Sequence, residues 1–371
     1  MECGAWAPRA SWDETSKRRA HALLNGLIRE LNLDLHGLTV YTEAASGAYL
    51  LTPCLAACAG AAMVYAQTRD SRYGSAEDVR RLTMEAARAL GIADRIQVIE
   101  QRCQERLSQS DIVTNSGFVR PIDAELVAAL KPTAVIPLMW ETWEYRAEDF
   151  DLAACRQRGI LVLGTQENAP PCDMVPYCGF IALKLLFELG FDGSKVLVLG
   201  NPPYPGGAIV RQIRGAGIEV AWFSATEESD YHYRHLADFF EAQGHCYPFM
   251  LVAEHKHAGL LLGPGGYLSL ETVQTHNPDA AIGIITGNVD APALKASGLR
   301  SLPDHIAPFG FMSYQPYVLG PRPVLQLYGA GLKVGEVMAR ARLAGMGIRQ
   351  AAVTALQFSP AMDFEGDLAW L

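Results

Sequence analysis

The sequence predicts an α/β protein of two Rossmann-like parallel-sheet domains, one flavodoxin-like and one dinucleotide-binding-like, with an interdomain cleft as the place of its chemistry. Three observations predict it. Short apolar or β-branched runs are followed again and again by helical stretches, the pattern of βαβ units whose sheet is covered on both faces. That series restarts near residue 195. The length, 371 residues with half of them hydrophobic, supplies two cores at roughly 150 residues per domain.

In chain order, residues 1–36 read as a polar lead-in and an amphipathic helix over 16–31. Strands follow at 38–41, 63–67, 96–99, 112–114, 134–138 and 160–163, with helices at 53–61, 76–90 and 123–130 between them. A long apolar helix, 173–189, ends at Gly190. The second series has a strand at 195–199, a helix at 207–216 and strands at 219–223, 249–253 and 281–285. The last segment carries a helix at 333–343 and a tail of little periodicity. A substrate domain is thus expected over 1–175, joined by 325–371, and a dinucleotide-binding-like domain over 176–324.

A formal net charge of -9 argues against a nucleic-acid or anionic-membrane binder, whose footprint is basic. The densest basic cluster, Lys17-Arg18-Arg19, fits a solvated helix face. No apolar stretch approaches 18 residues, and the first 25 residues lack an apolar signal core. A cytoplasmic protein acting on a small molecule is expected, with neither membrane nor nucleic acid as partner. The eight cysteines form no CxxC pair, and Cys54 and Cys58 read as core thiols on one helix. No metal is expected, because zinc sites need four ligands in paired spacing.

In open α/β sheets, ligands sit beyond the C-terminal ends of the strands. The first such loop, 42–48, holds Ser46 and Gly47, small enough for backbone to approach a ligand; a tight turn explains them equally. The second, 68–74, brings Arg69 and Arg72, either for a carboxylate or phosphate or as a solvated turn. The strand at 112–114 runs into Asn115-Ser116-Gly117, with Arg120 just before Pro121. A guanidinium there can clamp a carboxylate bidentately. Glu141, Glu144 and Arg146 share a loop with Trp140, Trp143 and Tyr145. That loop suits a cleft, a local ion pair or an interface between protomers.

In the second series, Gly200-Asn-Pro-Pro-Tyr-Pro-Gly206-Gly207 stands between a strand and a helix, where a dinucleotide loop belongs. Its spacing departs from GxGxxG, and three prolines and a tyrosine intervene. The next strand ends at Ser224 without an acid to grip an adenosine ribose. Glu254-His255-Lys256-His257 offers a general base or metal ligands, or two surface histidines. Thr286 and Asn288 follow the strand at 281–285.

From Asp111 to about Phe309 the sequence resembles the D-isomer-specific 2-hydroxyacid dehydrogenases. The resemblance rests on Asp123-Ala-Glu-Leu-Val-Ala-Ala-Leu, Ala134-Val-Ile-Pro-Leu, Asp151-Leu-Ala-Ala-Cys-Arg-Gln-Arg-Gly159-Ile-Leu-Val, Asp290-Ala-Pro-Ala-Leu and Leu302-Pro-Asp-His305-Ile-Ala-Pro. It implies NAD or NADP as cofactor, a homodimer, and catalysis by an arginine, a glutamate and a histidine. His305 matches the histidine. Thr286-Gly287-Asn288 stands where the arginine belongs, and the glutamate has no counterpart.

Two functions follow as expectations. The first is an NAD(P)-dependent oxidoreductase, or a derivative of one, acting on a small anionic metabolite. His305 would move the proton, Arg120 or Arg146 would hold the carboxylate with Glu141 beside them, and Gly200, Gly206, Gly207, Ser224, Thr286 and Asn288 would face the cofactor. Ser46, Gly47, Arg69, Asn115 and Ser116 would bind substrate. The second is the same scaffold without nicotinamide, a non-redox enzyme or sensor using the loops at 42–48 and 69–74. A lyase or transferase built on the 141–146 loop and His255 or His257 is a third.

Overall fold

A computed structural model describes residues 13–371; of the polar lead-in expected ahead of the helix at 16–31, residues 1–12 lie outside the described residues. The chain divides into two compact units, one of residues up to 173 together with 320–371, the other of 174–319.

The first unit opens with α1 (Glu14–Glu30), whose N-cap Asp13 accepts a 2.7 Å hydrogen bond from Ser16 N and whose Ala20, Leu24 and Leu27 form the buried face. Then come β1 (Thr39–Glu43), α2 (Thr52–Cys58), β2 (Met63–Gln67), α3 (Ala76–Ala89), β3 (Ile96–Ile99), α4 (Gln104–Gln109) and β4 (Ile112–Val113). They are followed by α5 (Ala124–Ala129), β5 (Val135–Pro137), α6 (Leu152–Arg158) and β6 (Leu161–Thr165). Caps mark the helix starts: Ser75 accepts from Asp78 N, Asp123 from Leu126 N and Asp151 from Ala154 N.

The second unit holds α7 (Val175–Glu188), β7 (Val196–Gly200), α8 (Gly206–Gly215), β8 (Val220–Ser224), β9 (Tyr231–His232), α9 (Leu236–Gln243) and β10 (Phe249–Ala253). It ends with α10 (Leu270–His276), β11 (Ala281–Thr286), α11 (Ala291–Ser297) and β12 (Arg300–Leu302). The chain then returns to the first unit with α12 (Pro321–Leu343), α13 (Ile348–Phe358) and β13 (Ala361–Met362).

The first sheet has the order β13-β6-β5-β4-β1-β2-β3 and the second β12-β11-β10-β7-β8-β9. Every pairing is parallel except β13 with β6, where Ala361 stands opposite Thr165. Counted within each unit, both sheets run 3-2-1-4-5-6, the dinucleotide-binding order. Two Rossmann-like parallel sheets are therefore present, and in detail the first shares the order of the second rather than the flavodoxin order. Strands β6, β7, β10 and β11 are buried along their whole length, which is why they appear as unbroken apolar runs.

Two expectations for the C-terminal segment are corrected. The helix placed at 333–343 starts at Pro321, with Pro321 and Pro323 in the first turn, where a missing N–H costs little. Its sides are buried nearly all round, so no polar stripe marks its extent, and Gly329, Gly331 and Gly335 admit close neighbours. The tail of little periodicity is α13 and the antiparallel edge strand β13. Among the described residues, no helix is long and apolar enough to cross a membrane.

Candidate functional site

The order 3-2-1-4-5-6 reverses direction between β1 and β4 in the first sheet and between β7 and β10 in the second. In sheets of this order the loops leaving those strands part there, and ligands bind at that point.

At the first switch point, β1 ends in Glu43, which is buried and opposite Gln67 in register. Glu43 Oε2 accepts a 2.9 Å hydrogen bond from Phe118 N, in the loop after β4. Burial pushes its carboxyl above the usual range, and the Phe118 amide and the nearby Arg120 and Arg69 charges act against that shift. Arg69, exposed after β2, donates from Nη2 to Gly117 O (3.4 Å) with its guanidinium 5.2 Å over the Phe118 ring. Asn115 is fully buried; its Oδ1 accepts from Met139 N at 2.8 Å, and its Nδ2 has no hydrogen-bond partner among the described residues. Ser116 Oγ lies 2.7 Å from Thr114 Oγ1. Ser46 caps the 3-10 turn at 47–51 without a side-chain bond, and Gly47 has φ +67°.

Arg120 is already engaged. Its Nη1 donates to Asp149 Oδ2 at 2.7 Å, and its guanidinium stacks 4.8 Å over the Trp140 ring. Beside it, buried Glu141 joins the loop after β5 to the loop after β6, accepting Trp143 Nε1 at 2.6 Å and Glu167 N at 3.1 Å. Glu141 therefore serves as a fastener of those loops. Burial and the Glu141 charge push Glu144 up to about 7, with Arg146 and Arg120 opposing. Glu167 is held well above the carboxylate range by burial and by the charges of Glu144 and Glu141.

At the second switch point, Gly200 and Gly206 touch backbone to backbone. A Cβ on Gly206 would sit 2.3 Å from Gly200 C, so only glycine allows α8 to approach β7 this closely. Asn201 organises the loop between them: its Oδ1 accepts from His255 N (3.1 Å), its Nδ2 donates to Tyr204 O (2.7 Å) and its carbonyl accepts from Gly207 N (3.3 Å). The Tyr204 ring stacks on His255, and burial followed by the Lys256 charge lowers the His255 imidazole to about 4. Trp222 Nε1 donates to Gly200 O at 2.7 Å. Fully buried Glu254 accepts from Tyr233 OH (2.8 Å), Lys256 N (2.8 Å) and His257 N (3.0 Å), which fixes the 254–257 loop.

These residues depart from the usual loop for a nicotinamide dinucleotide. Pyrophosphate needs free amides at the start of the helix. Here the Gly207 amide is taken by Asn201 O, and Pro202, Pro203 and Pro205 have no N–H. Ser224, at the end of β8, is fully buried and bonded to Thr226 and Ser229. Thr286 Oγ1 donates to Phe311 O and Asn288 Nδ2 to Ala258 O. His305 is exposed in the loop after β12, whose strand is separated from β10 by β11.

The structure thus gathers Glu43, Arg69, Asn115, Ser116 and Arg120 around one loop of the first unit, while His305 belongs to the second. Sequence reasoning passed over Glu43, Asp149 and Glu167. Glu43 carried a usable signal, an acid closing an apolar strand; the other two are defined by spatial partners alone.

No protein-family model and no curated protein matches the chain. Among solved structures, a 2-hydroxyacid dehydrogenase from Ketogulonicigenium vulgare is similar at 11% identity and a TM-score of 0.46, over 84% of this chain and 96% of that one. A dipicolinate synthase subunit from Bacillus halodurans is similar at 8% identity and 0.47, over 83% and 99%. A D-isomer-specific 2-hydroxyacid dehydrogenase from Lactobacillus delbrueckii, in its NAD-complexed form, is similar at 9% identity and 0.38, over 86% and 98%. These likenesses are distant and concern the fold alone.

Proposed function

We propose that this chain is a divergent, dehydrogenase-like protein that binds a small anionic metabolite at the switch point of its first sheet and does not use a nicotinamide dinucleotide in its second. The observation that carries the proposal is the Gly200–Gly207 loop, whose own groups take up the Gly207 amide that a pyrophosphate would need. The exposed Arg69 guanidinium, anchored on Gly117 O at the end of the loop after β4, supports anion binding in the first unit.

Titration of the purified chain with NADH and NADPH, followed by fluorescence energy transfer, tests the second half: no saturable binding is expected at millimolar ligand. Micromolar binding of either would overturn it and support an NAD(P)-dependent oxidoreductase with His305 as the proton-transfer group. That competing reading draws on the close packing of Gly200 and Gly206. For the first half, small carboxylates are expected to raise the melting temperature of the wild type and to leave Arg69→Ala unchanged. An equal rise in both removes Arg69 from the site. Sedimentation equilibrium tests the homodimer that accompanies this proposal.

A further inference from the structure

Three carboxyl groups gather where the loop after β5 reaches the loop after β6. Glu141 joins the two loops: its Oε2 accepts from Trp143 Nε1 at 2.6 Å and its Oε1 from Glu167 N at 3.1 Å. Its carbonyl accepts from Glu144 N at 3.1 Å, which sets Glu144 beside it. Glu144 and Glu167 are half-buried, and the charges of the three act on one another. The loop so held carries the chain out of the first unit at residue 173.

The surroundings offer little to balance a second negative charge. Arg146 faces Glu144 from the same loop, and Arg120, from the loop after β4, is paired with Asp149. The loop after β6 adds Asp173 and the Cys172 thiol, whose proton is held by burial and by the Glu167, Asp173 and Glu141 charges. From the C-terminal segment Asp363 presents its carbonyl to Thr142, while its carboxylate takes the amides of Phe364 and Trp370. Helix α12 contributes the uncharged Gln326, bonded to Cys172 O at 2.7 Å. Glu141, which accepts two N–H donors, is best served by its charged form. A second carboxylate next to it, out of water, is unfavourable. Opening the loops separates and hydrates these groups.

We propose that the cluster is a proton-operated latch: with a proton on Glu144 the loop after β6 is closed onto the loop after β5, and loss of that proton releases it. The closed loops hold this proton up to about pH 7, and the opened ones only to the ordinary 4.5. Closure is therefore complete below about pH 4.5, weakens about tenfold per pH unit up to about 7 and stays weak above it.

Hydrogen exchange of the full chain between pH 5 and pH 8, read by mass spectrometry and corrected for the intrinsic pH dependence of exchange, tests the latch. Peptides covering 166–173 are expected to be less protected than those covering β2 and to lose tenfold or more of their protection across that range. Glu144→Gln, which cannot ionise, is expected to keep the loop protected throughout. Glu141→Gln keeps an acceptor for Glu167 N and removes the neighbouring charge; it is expected to reduce the dependence, and it stands in if Glu144→Gln fails to fold by circular dichroism. Loop protection that does not change with pH in the wild type overturns the proposal. So does a loss that persists unchanged in the variants. Protection equal to that of β2 at every pH overturns it too, because the opening is then global unfolding.

Discussion

Asn201→Ala removes a side chain that ties the loop after β7 to the loop after β10. Asn201 is 5% exposed, and its amide makes a 2.7 Å bond to Tyr204 O and a 3.1 Å bond from His255 N. Alanine leaves both partners without their acceptor or donor in a packed loop. At about 1–2 kcal/mol for each orphaned group, the loss sums to about 2–4 kcal/mol. For a unit of this size that corresponds to a fall in melting temperature of roughly 5–15 °C. Scanning calorimetry and urea denaturation of the full chain measure it. Asn201→Asp is the informative comparison, because it keeps an acceptor for His255 N and places a second oxygen against the Tyr204 carbonyl. At about pH 8 it is expected to lose at least as much stability as alanine. If Asn201→Ala costs less than about 0.5 kcal/mol, or Asn201→Asp matches the wild type, the Asn201 side chain does not hold the two loops together.

Two further outcomes follow from the same geometry. Gly206→Ala puts a methyl group 2.3 Å from Gly200 C, and since the obstacle is backbone, α8 has to move by about 1 Å; a loss of about 3 kcal/mol is expected in urea melts, and wild-type stability would refute the close approach. Glu144 titrates near 7 in the folded protein against an ordinary 4.5, so the native state holds its proton more tightly than the unfolded chain. Its contribution is complete below about pH 4.5 and is lost as pH rises through about 7. Denaturation between about pH 5 and pH 8 should show stability falling, with a shallower slope in Glu144→Gln; an identical slope in that variant would sink the assignment.

Much of the fold is legible because buried parallel strands are written as local apolar runs. Those at 63–67, 96–99 and 249–253 stand where the sequence pattern places them. Several elements escaped, among them the short helices α4, α6, α9, α10 and α11. Strands β9, β12 and β13 are two or three residues long, too short for any period to register. Helix α12 is buried on nearly every side, so its amphipathic signature is missing. The site shows the same division. Arg69, Asn115, Ser116 and Arg120 are visible as polar residues following strands, and the proline-filled glycine loop is visible as a misfit. That Arg120 is spent on Asp149 and Trp140, and Glu141 on fastening two loops, is not written in the neighbouring residues.

By itself the sequence determined the α/β class, the restart of the series near 195 and the loops that carry polar groups, because hydrophobic patterning and turn chemistry act over a few residues. Only the tertiary structure decided the strand order and the partners it brings together. Thr42 meets Thr114 across 72 residues and Tyr328 across 286. Those pairings depend on which strand lies beside which, and no local pattern encodes that.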